Sequence, residues 1–344
     1  MEAVDLNISL TTVSGALKAS SSIQPYLQAR LHLLNVLAPM WPAISLFGMV
    51  ANIINIVVFL KAGVKDNVTT LLFCLAISDL TFLVLNTPNM CYWVILTYTQ
   101  DHPWPFHSRF LQAMFYWPAF TAYDLSAFIS VSLGVMRCAC VAMPLKFKAV
   151  FTRSRTIKWV MFLVVLAVSL RIPVLSLHRI GWRTDSRTNS SVPYLENPNI
   201  KSMSRINDIL NRGFVIWINY TTMITCVSVL TFKLNEASKI RRSSTAQTGV
   251  HSLSSRDLQV VKSVALVCTI FFLSQLPYLL VSMFRLVNAE FDEGTNLVEL
   301  FGIVSDVART CSVLNASVNI FVYYNYNSKY KSVFRSMMGL IKNH

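Results

Sequence analysis

Seven stretches of this 344-residue chain are each long and apolar enough to cross a bilayer, and no other feature constrains its fold as much. They are residues 33–60, 70–98, 110–136, 159–177, 213–232, 263–284 and 300–326. A hydrocarbon core about 30 Å thick takes about 20 helical residues to cross. Lipid supplies no partner for backbone N–H and C=O groups, so such segments are helices. Composition closes off the alternatives. Charged residues are 13% of the chain, against about 25% in soluble domains, which is too little polar surface for a water-exposed fold. A hydrophobic content of 54%, with only 10 Gly and 7 Cys, excludes disorder, collagen-like repeats and a disulfide scaffold. The sequence predicts an all-α seven-transmembrane helix bundle. Residues 1–32 form an extracellular tail, 33–326 the bundle, and 327–344 an amphipathic helix with a short cytoplasmic tail. The first 30 residues lack the apolar core of a cleavable leader, so the first span is expected to direct insertion.

Orientation follows from the Lys and Arg residues in the loops. The loops after spans one, three and five, together with the C-terminal tail, hold 17 of the 30; the opposite side holds 10, and Arg137, Arg171 and Arg309 lie in spans. The side with 17 is therefore cytoplasmic and the N-terminus is outside. Only three acids, Asp66, Glu236 and Asp257, share that side, so it carries the entire formal charge of +14. The basic balance thus says nothing of nucleic acid. It suits anionic membrane lipid, at about 1 kcal/mol per nearby basic residue, or an acidic cytosolic partner. Glycosylation sequons at Asn7 and Asn189 fall outside; a third, at Asn67, falls inside and should be silent.

Ionisable residues in mid-span cost roughly 2.5–3.5 kcal/mol on insertion scales, which makes function the first hypothesis for each. The spans hold Asp79, Asp124, Arg171, Asp306 and Arg309. Plainer readings exist. Asp79 can bond neighbouring Ser and Asn residues, Arg309 can pair with Asp306 three residues away, and Arg171 can snorkel. Asp124 has no evident local partner.

Short motifs recur through the spans in order. They are Gly48-x-x-x-Asn52; Leu75-Ala76-Ile77-Ser78-Asp79-Leu80; Met136-Arg137-Cys138 followed by Pro144-Leu145; Phe271 six residues before Pro277-Tyr278; and Asn319-Ile320-Phe321-Val322-Tyr323. Together they resemble the rhodopsin-like (class A) G protein-coupled receptors, over about residues 33–339. The segments 136–148 and 318–330 further resemble invertebrate, molluscan-type chemosensory receptors and, through them, receptors of the FMRFamide neuropeptide type.

The resemblance implies a switch between two helix packings, not catalysis. An extracellular small molecule or peptide would act as ligand and a heterotrimeric G protein as partner at the plasma membrane. Arg137 would couple to the G protein. Its usual acidic neighbour is replaced by Met136, but Asp257, 20 residues before Pro277, is placed to lock it. The plain alternative has Arg137 reaching lipid phosphate and Asp257 capping span six. Asn319, Tyr323 and Pro277 complete the implied switch. Asp79, Ser126, Asn315 and Asn319 match positions that ligate an allosteric Na+ in this family; no other cofactor is implied. Ligand candidates are Arg309, Asp124, Tyr116, Tyr123 and Tyr278. The sequence departs from the pattern at Ile320 for Pro, Gln275 for Trp and Gln112 for Cys. Since the loop at 179–212 lacks Cys, the family's outer disulfide is not expected, and that loop should be mobile unless Trp182 or Tyr194 holds it.

Two regulatory features follow. Ser and Thr residues at 243–255 beside Arg241 and Arg242 could recruit arrestin once phosphorylated. Tyr330, Val333, Phe334, Met337, Met338 and Ile341 form one apolar stripe, expected to lie on the membrane interface. The competing class is a seven-helix transporter or channel using Asp79, Asp124 and Arg309 as an ion path, against which stands the lack of an inverted repeat. An intramembrane enzyme would need a buried His or nucleophile set, and the six His lie in termini, loops or at span ends.

Overall fold

A computed structural model describes the backbone of residues 2–98, 112–142, 147, 149–175, 179–184, 189–196, 208–243, 255–288, 290–291 and 297–339. Side chains are described for fewer of these, excluding among others those of 2–24 and 233–265. Within that set the chain is a helical bundle. Its helices are α1 (Glu2–Ala62), α2 (Asn67–Tyr98), α3 (Trp117–Ala142), α4 (Arg153–Leu175), α5 (Ile216–Ser243), α6 (Ser255–Val287), α7 (Val298–Tyr326) and α8 (Ser328–Met337). α1 packs on α2 and α7, α7 on α6, and α3 on α2, α4, α5 and α6, which places α3 at the centre.

Six helices, α1 to α6, are long and apolar enough to cross a membrane. α7 is the polar one: Asp306, Arg309, Asn315 and Asn319 interrupt it, and all but Arg309 are buried within the bundle. α1 continues N-terminally past the expected span, while its apolar spanning part begins at Pro25. π-helical turns at Gln112–Tyr116 and Asp208–Val215 precede α3 and α5. Local chemistry sets several ends. Asp66 caps α2 through Thr69, whose backbone N–H and hydroxyl donate to its carboxylate at 2.9 and 2.6 Å. Pro277 interrupts the hydrogen-bond ladder of α6 at mid-span.

The motif residues of α1 hold it against α7. Asn52 Nδ2 donates to the Gly48 and Ala316 carbonyls at 2.9 and 2.7 Å. A Cβ on Gly48 would lie 2.1 Å from Ser317 Oγ, so only glycine permits this approach. Asn67, in the inner sequon, donates to the Phe151 carbonyl at 2.6 Å and ties α2 to the segment before α4.

Between α4 and α5 the chain forms an antiparallel hairpin, β1 (Arg179–Thr184) with β2 (Ser191–Glu196), pairing Arg179 with Glu196 and Thr184 with Ser191. The sequence leaves this loop mobile unless Trp182 or Tyr194 holds it, and strands are not foreseen there. Trp182 is 69% exposed, and the strand ladder gives the segment its order. The Tyr194 side chain lies outside the described residues. Among the described cysteines, Cys74, Cys91, Cys138, Cys140, Cys226 and Cys311 are free thiols.

The C-terminal stripe is also used differently from the expectation. Tyr330 is fully buried, its hydroxyl donates to Asn55 Oδ1 at 2.7 Å, and its ring meets Phe59 and Tyr323. Val333, Phe334 and Met337 pack on the same core, so much of the stripe docks α8 on the bundle. Burial pushes the Tyr330 phenol above its ordinary pKa. Asn327 caps the helix by accepting from the Tyr330 N–H at 3.0 Å.

Candidate functional site

At mid-bundle Asp79 is fully buried. Ser126 Oγ donates to its Oδ1 at 2.6 Å and Asn319 Nδ2 to its Oδ2 at 2.8 Å, so one carboxylate ties α2 to α3 and α7. Asn315, one turn from Asn319, is buried in the same layer. The cluster offers carboxylate, hydroxyl and amide oxygens, the donor set a hard monovalent cation takes. Below it Tyr323 is fully buried with its ring edge on Phe59, and its hydroxyl makes no hydrogen bond among the described residues. Arg137 is half-buried at the inner end of α3. Asp257 lies in the first turn of α6, but its side chain lies outside the described residues, as do the Asn7 side chain and the Ser and Thr of residues 243–255. Asn189 is exposed beyond β1, with a positive φ of 49°.

The outer half holds a cavity of about 30 Å³ among α3, α4, α5 and α6. That is room for about one water molecule. Its walls include Tyr123, Asp124 and Tyr278 from the candidate ligand set. They also include Arg171, for which the sequence left both a functional role and outward snorkelling open. Arg171 turns inward: its Nε donates to Asp124 Oδ2 at 3.0 Å, its Nη2 reaches the same oxygen, and its guanidinium stacks over Trp117 at 5.7 Å. Asp124 thus finds its partner on the neighbouring helix. Its side chain is 23% exposed and that of Arg171 6%. Asn211, Asn219, Tyr220 and Gln275 complete the polar lining. The signal for Arg171 was its charge in a span; nothing in the sequence pointed to Asn211 or Tyr220, whose exposure depends on how α5 begins. Gln275 does face the cavity.

The chain's similarity to known proteins fits this architecture. Residues 40–340 match the family model "Serpentine type 7TM GPCR chemoreceptor Srw". The chain belongs to the Srw family of G protein-coupled chemoreceptors. The match runs from within the first span through the seventh, so this receptor is a multi-pass membrane protein, and a transporter or channel is not favoured. It is also similar to neuromedin-U receptor 2 of Rattus norvegicus, 22% identical over 301 residues, covering 86% of this chain and 73% of the rat protein.

Two ligand candidates of the receptor lie apart from the cavity. Tyr116 stacks on Phe120 at 4.5 Å. Arg309 sits between α1, α2 and α7, over Trp41 and Trp93 at 5.6 and 5.9 Å and 3.6 Å from Asp306. Spacing along α7 put Arg309 in the pocket among spans three, five, six and seven, whereas its side chain lies against α1 and α2. It could not say which side of the helix the residue takes.

Proposed function

We propose that this receptor resides in the plasma membrane and binds an extracellular small molecule or peptide in the cavity among α3 to α6, passing the change to a heterotrimeric G protein at the inner face. The observation that carries the reading is the Asp124–Arg171 pair inside that cavity. A buried ion pair is a poor source of stability, since desolvation offsets most of the attraction. It is a good device for recognition, because an incoming polar group can exchange with either partner. The cavity is small, so ligand entry separates α3, α4, α5 and α6. Such a movement has a route inward along α3 to Arg137 and, through Ser126, Asp79 and Asn319, to Tyr323. The relative named for neuromedin U supports an extracellular messenger as ligand.

Sodium held by Asp79, Ser126, Asn315 and Asn319 would favour the resting packing, with Asp79 offsetting the ion's charge. Arrestin recognition of phosphorylated residues 243–255 and contact of the basic inner face with anionic lipid belong to the same reading, as does an Arg137–Asp257 lock.

The test is ligand-free G protein activation across a panel of Gα subtypes, comparing wild type with Arg137→Ala at matched surface level. Basal output that disappears in Arg137→Ala is the expected result. Basal output that persists in Arg137→Ala sinks the role of Arg137.

A further inference from the structure

Two cysteines meet across the inner half of the bundle. Cys138 lies on α3, next to Arg137, and Cys226 lies on α5. Cys138 Sγ donates to the Cys226 carbonyl oxygen at 3.4 Å, and the two side chains also meet thiol to thiol. Neither belongs to a disulfide. Cys226 is 5% exposed, and Cys138 is half-buried.

A groove runs past this pair. Its volume is about 360 Å³, and its walls include Val135 and Cys138 of α3 and Thr221, Thr225, Cys226 and Val229 of α5. Positions 221 to 229 cover about 12 Å of helix. Val135 and Val229 are 41% and 37% exposed, and Thr221 and Thr225 are exposed as well. All lie within membrane-spanning segments, so the groove opens to lipid. The threonine hydroxyls are turned back on α5. Thr221 donates to the Trp217 carbonyl at 2.8 Å, and Thr225 to the Thr221 carbonyl at 2.9 Å. What remains is a largely apolar slot, shaped for a lipid chain, with two thiols in its wall.

We propose that Cys138 and Cys226 form a redox site, at which a lipid hydroperoxide lying in the groove oxidises the pair to a disulfide. The Cys138 sulfur gives up its proton and attacks the terminal oxygen of the hydroperoxide. The O–O bond breaks, the lipid leaves as an alcohol carrying that proton, and the sulfur becomes a sulfenic acid. The Cys226 thiol then attacks this sulfur. An S–S bond forms, and the sulfenic oxygen leaves as water with the Cys226 proton. The two thiols lose two electrons, and the hydroperoxide is reduced to alcohol and water. A disulfide near the reducing cytoplasmic side is transient, as a sensor requires. While it lasts, it opposes any separation of α3 from α5 and so lowers G protein output. That last consequence alone rests on the receptor reading.

The experiment uses full-length receptor in lipid nanodiscs. The probe is linoleic acid hydroperoxide, with the matching alcohol as its unreactive twin and hydrogen peroxide as an oxidant that needs no groove. Non-reducing peptide mapping by mass spectrometry should find Cys138 joined to Cys226 after the hydroperoxide, but not after the alcohol. Dithiothreitol should undo the link. Cys226→Ser should halt the reaction at a sulfenic acid on Cys138, which dimedone traps. Val135→Trp and Val229→Trp fill the groove from opposite walls. Each should lose the reaction with the lipid hydroperoxide and keep that with hydrogen peroxide, which shows the pair intact. Absence of the link in wild type, or a link from Cys138 to a different cysteine, overturns the site. An undiminished lipid reaction in both groove variants, or loss of both reactions in both, overturns the role of the groove. Basal G protein activation is read on the same samples. It should fall on oxidation of wild type and recover with dithiothreitol. Output unmoved by a formed disulfide overturns the regulatory consequence and keeps the proposed function. Output that persists in Arg137→Ala sinks the role of Arg137 and keeps the redox site.

Discussion

Gly48 and Ser317 meet so closely that one methyl group decides whether α1 and α7 can pack. A Cβ at position 48 would come within 2.1 Å of Ser317 Oγ and 2.7 Å of Leu83 Cδ1. Gly48→Ala should therefore destabilise the receptor by about 1–3 kcal/mol, the usual cost of overpacking. Unfolding temperature of the purified protein checks this, and Gly48→Ala with Ser317→Ala should recover part of the loss. An unchanged midpoint in the single variant would refute the contact. The sequence showed Gly48 and Asn52 as a motif but not what the motif was for, because the clash partner lies on a helix more than 260 residues away. Asp79 was easier to read. A carboxylate in mid-span must find polar partners, and Ser126 and Asn319 are within hydrogen-bond reach of it, as their matching positions suggested.

At the scale of elements, the described helices fall where apolar runs put them, apart from the polar N-terminal extension of α1, since length and hydropathy are local properties. Orientation about the helix axis is not local. Arg171 was free to face lipid or core on sequence grounds, and it faces the core because Asp124 and Trp117 on α3 receive it. Arg171→Met should cost stability at the low end of the roughly 3–5 kcal/mol seen when a buried ion pair loses one partner, since Asp124 keeps some solvent. Pairing it with Asp124→Leu should restore most of that loss, and denaturation of the four proteins of this cycle provides the check. Equal losses in the single and double variants would mean that the pair is not what joins α3 and α4. α8 gives a second test. Tyr330→Phe removes the hydrogen bond to Asn55 but keeps the ring stacking, and should cost about 1 kcal/mol in the same measurement.

At the scale of the molecule, the outer and inner halves meet at Asp79, where one buried carboxylate holds α2, α3 and α7 in register. Any relative movement of α7 must break or stretch the bond to Asn319, which lies one helical turn above the buried Tyr323. A cation drawn to Asp79 would add its own oxygen contacts across the same helices and oppose that movement. Replacing bath Na+ by N-methylglucamine, at constant ionic strength, should therefore raise basal G protein activation in wild type. Asp79→Asn keeps one acceptor oxygen and turns the other into an N–H donor, so one of the two bonds to Ser126 and Asn319 must reverse, but it removes the charge that would attract the ion, so its basal output should not respond to the exchange. The control matters because salt also screens the basic inner face, an effect that constant ionic strength holds fixed. A wild type as indifferent to the exchange as Asp79→Asn would leave Asp79 as a structural tie among three helices, with the switch running through Asn319 unaided by an ion.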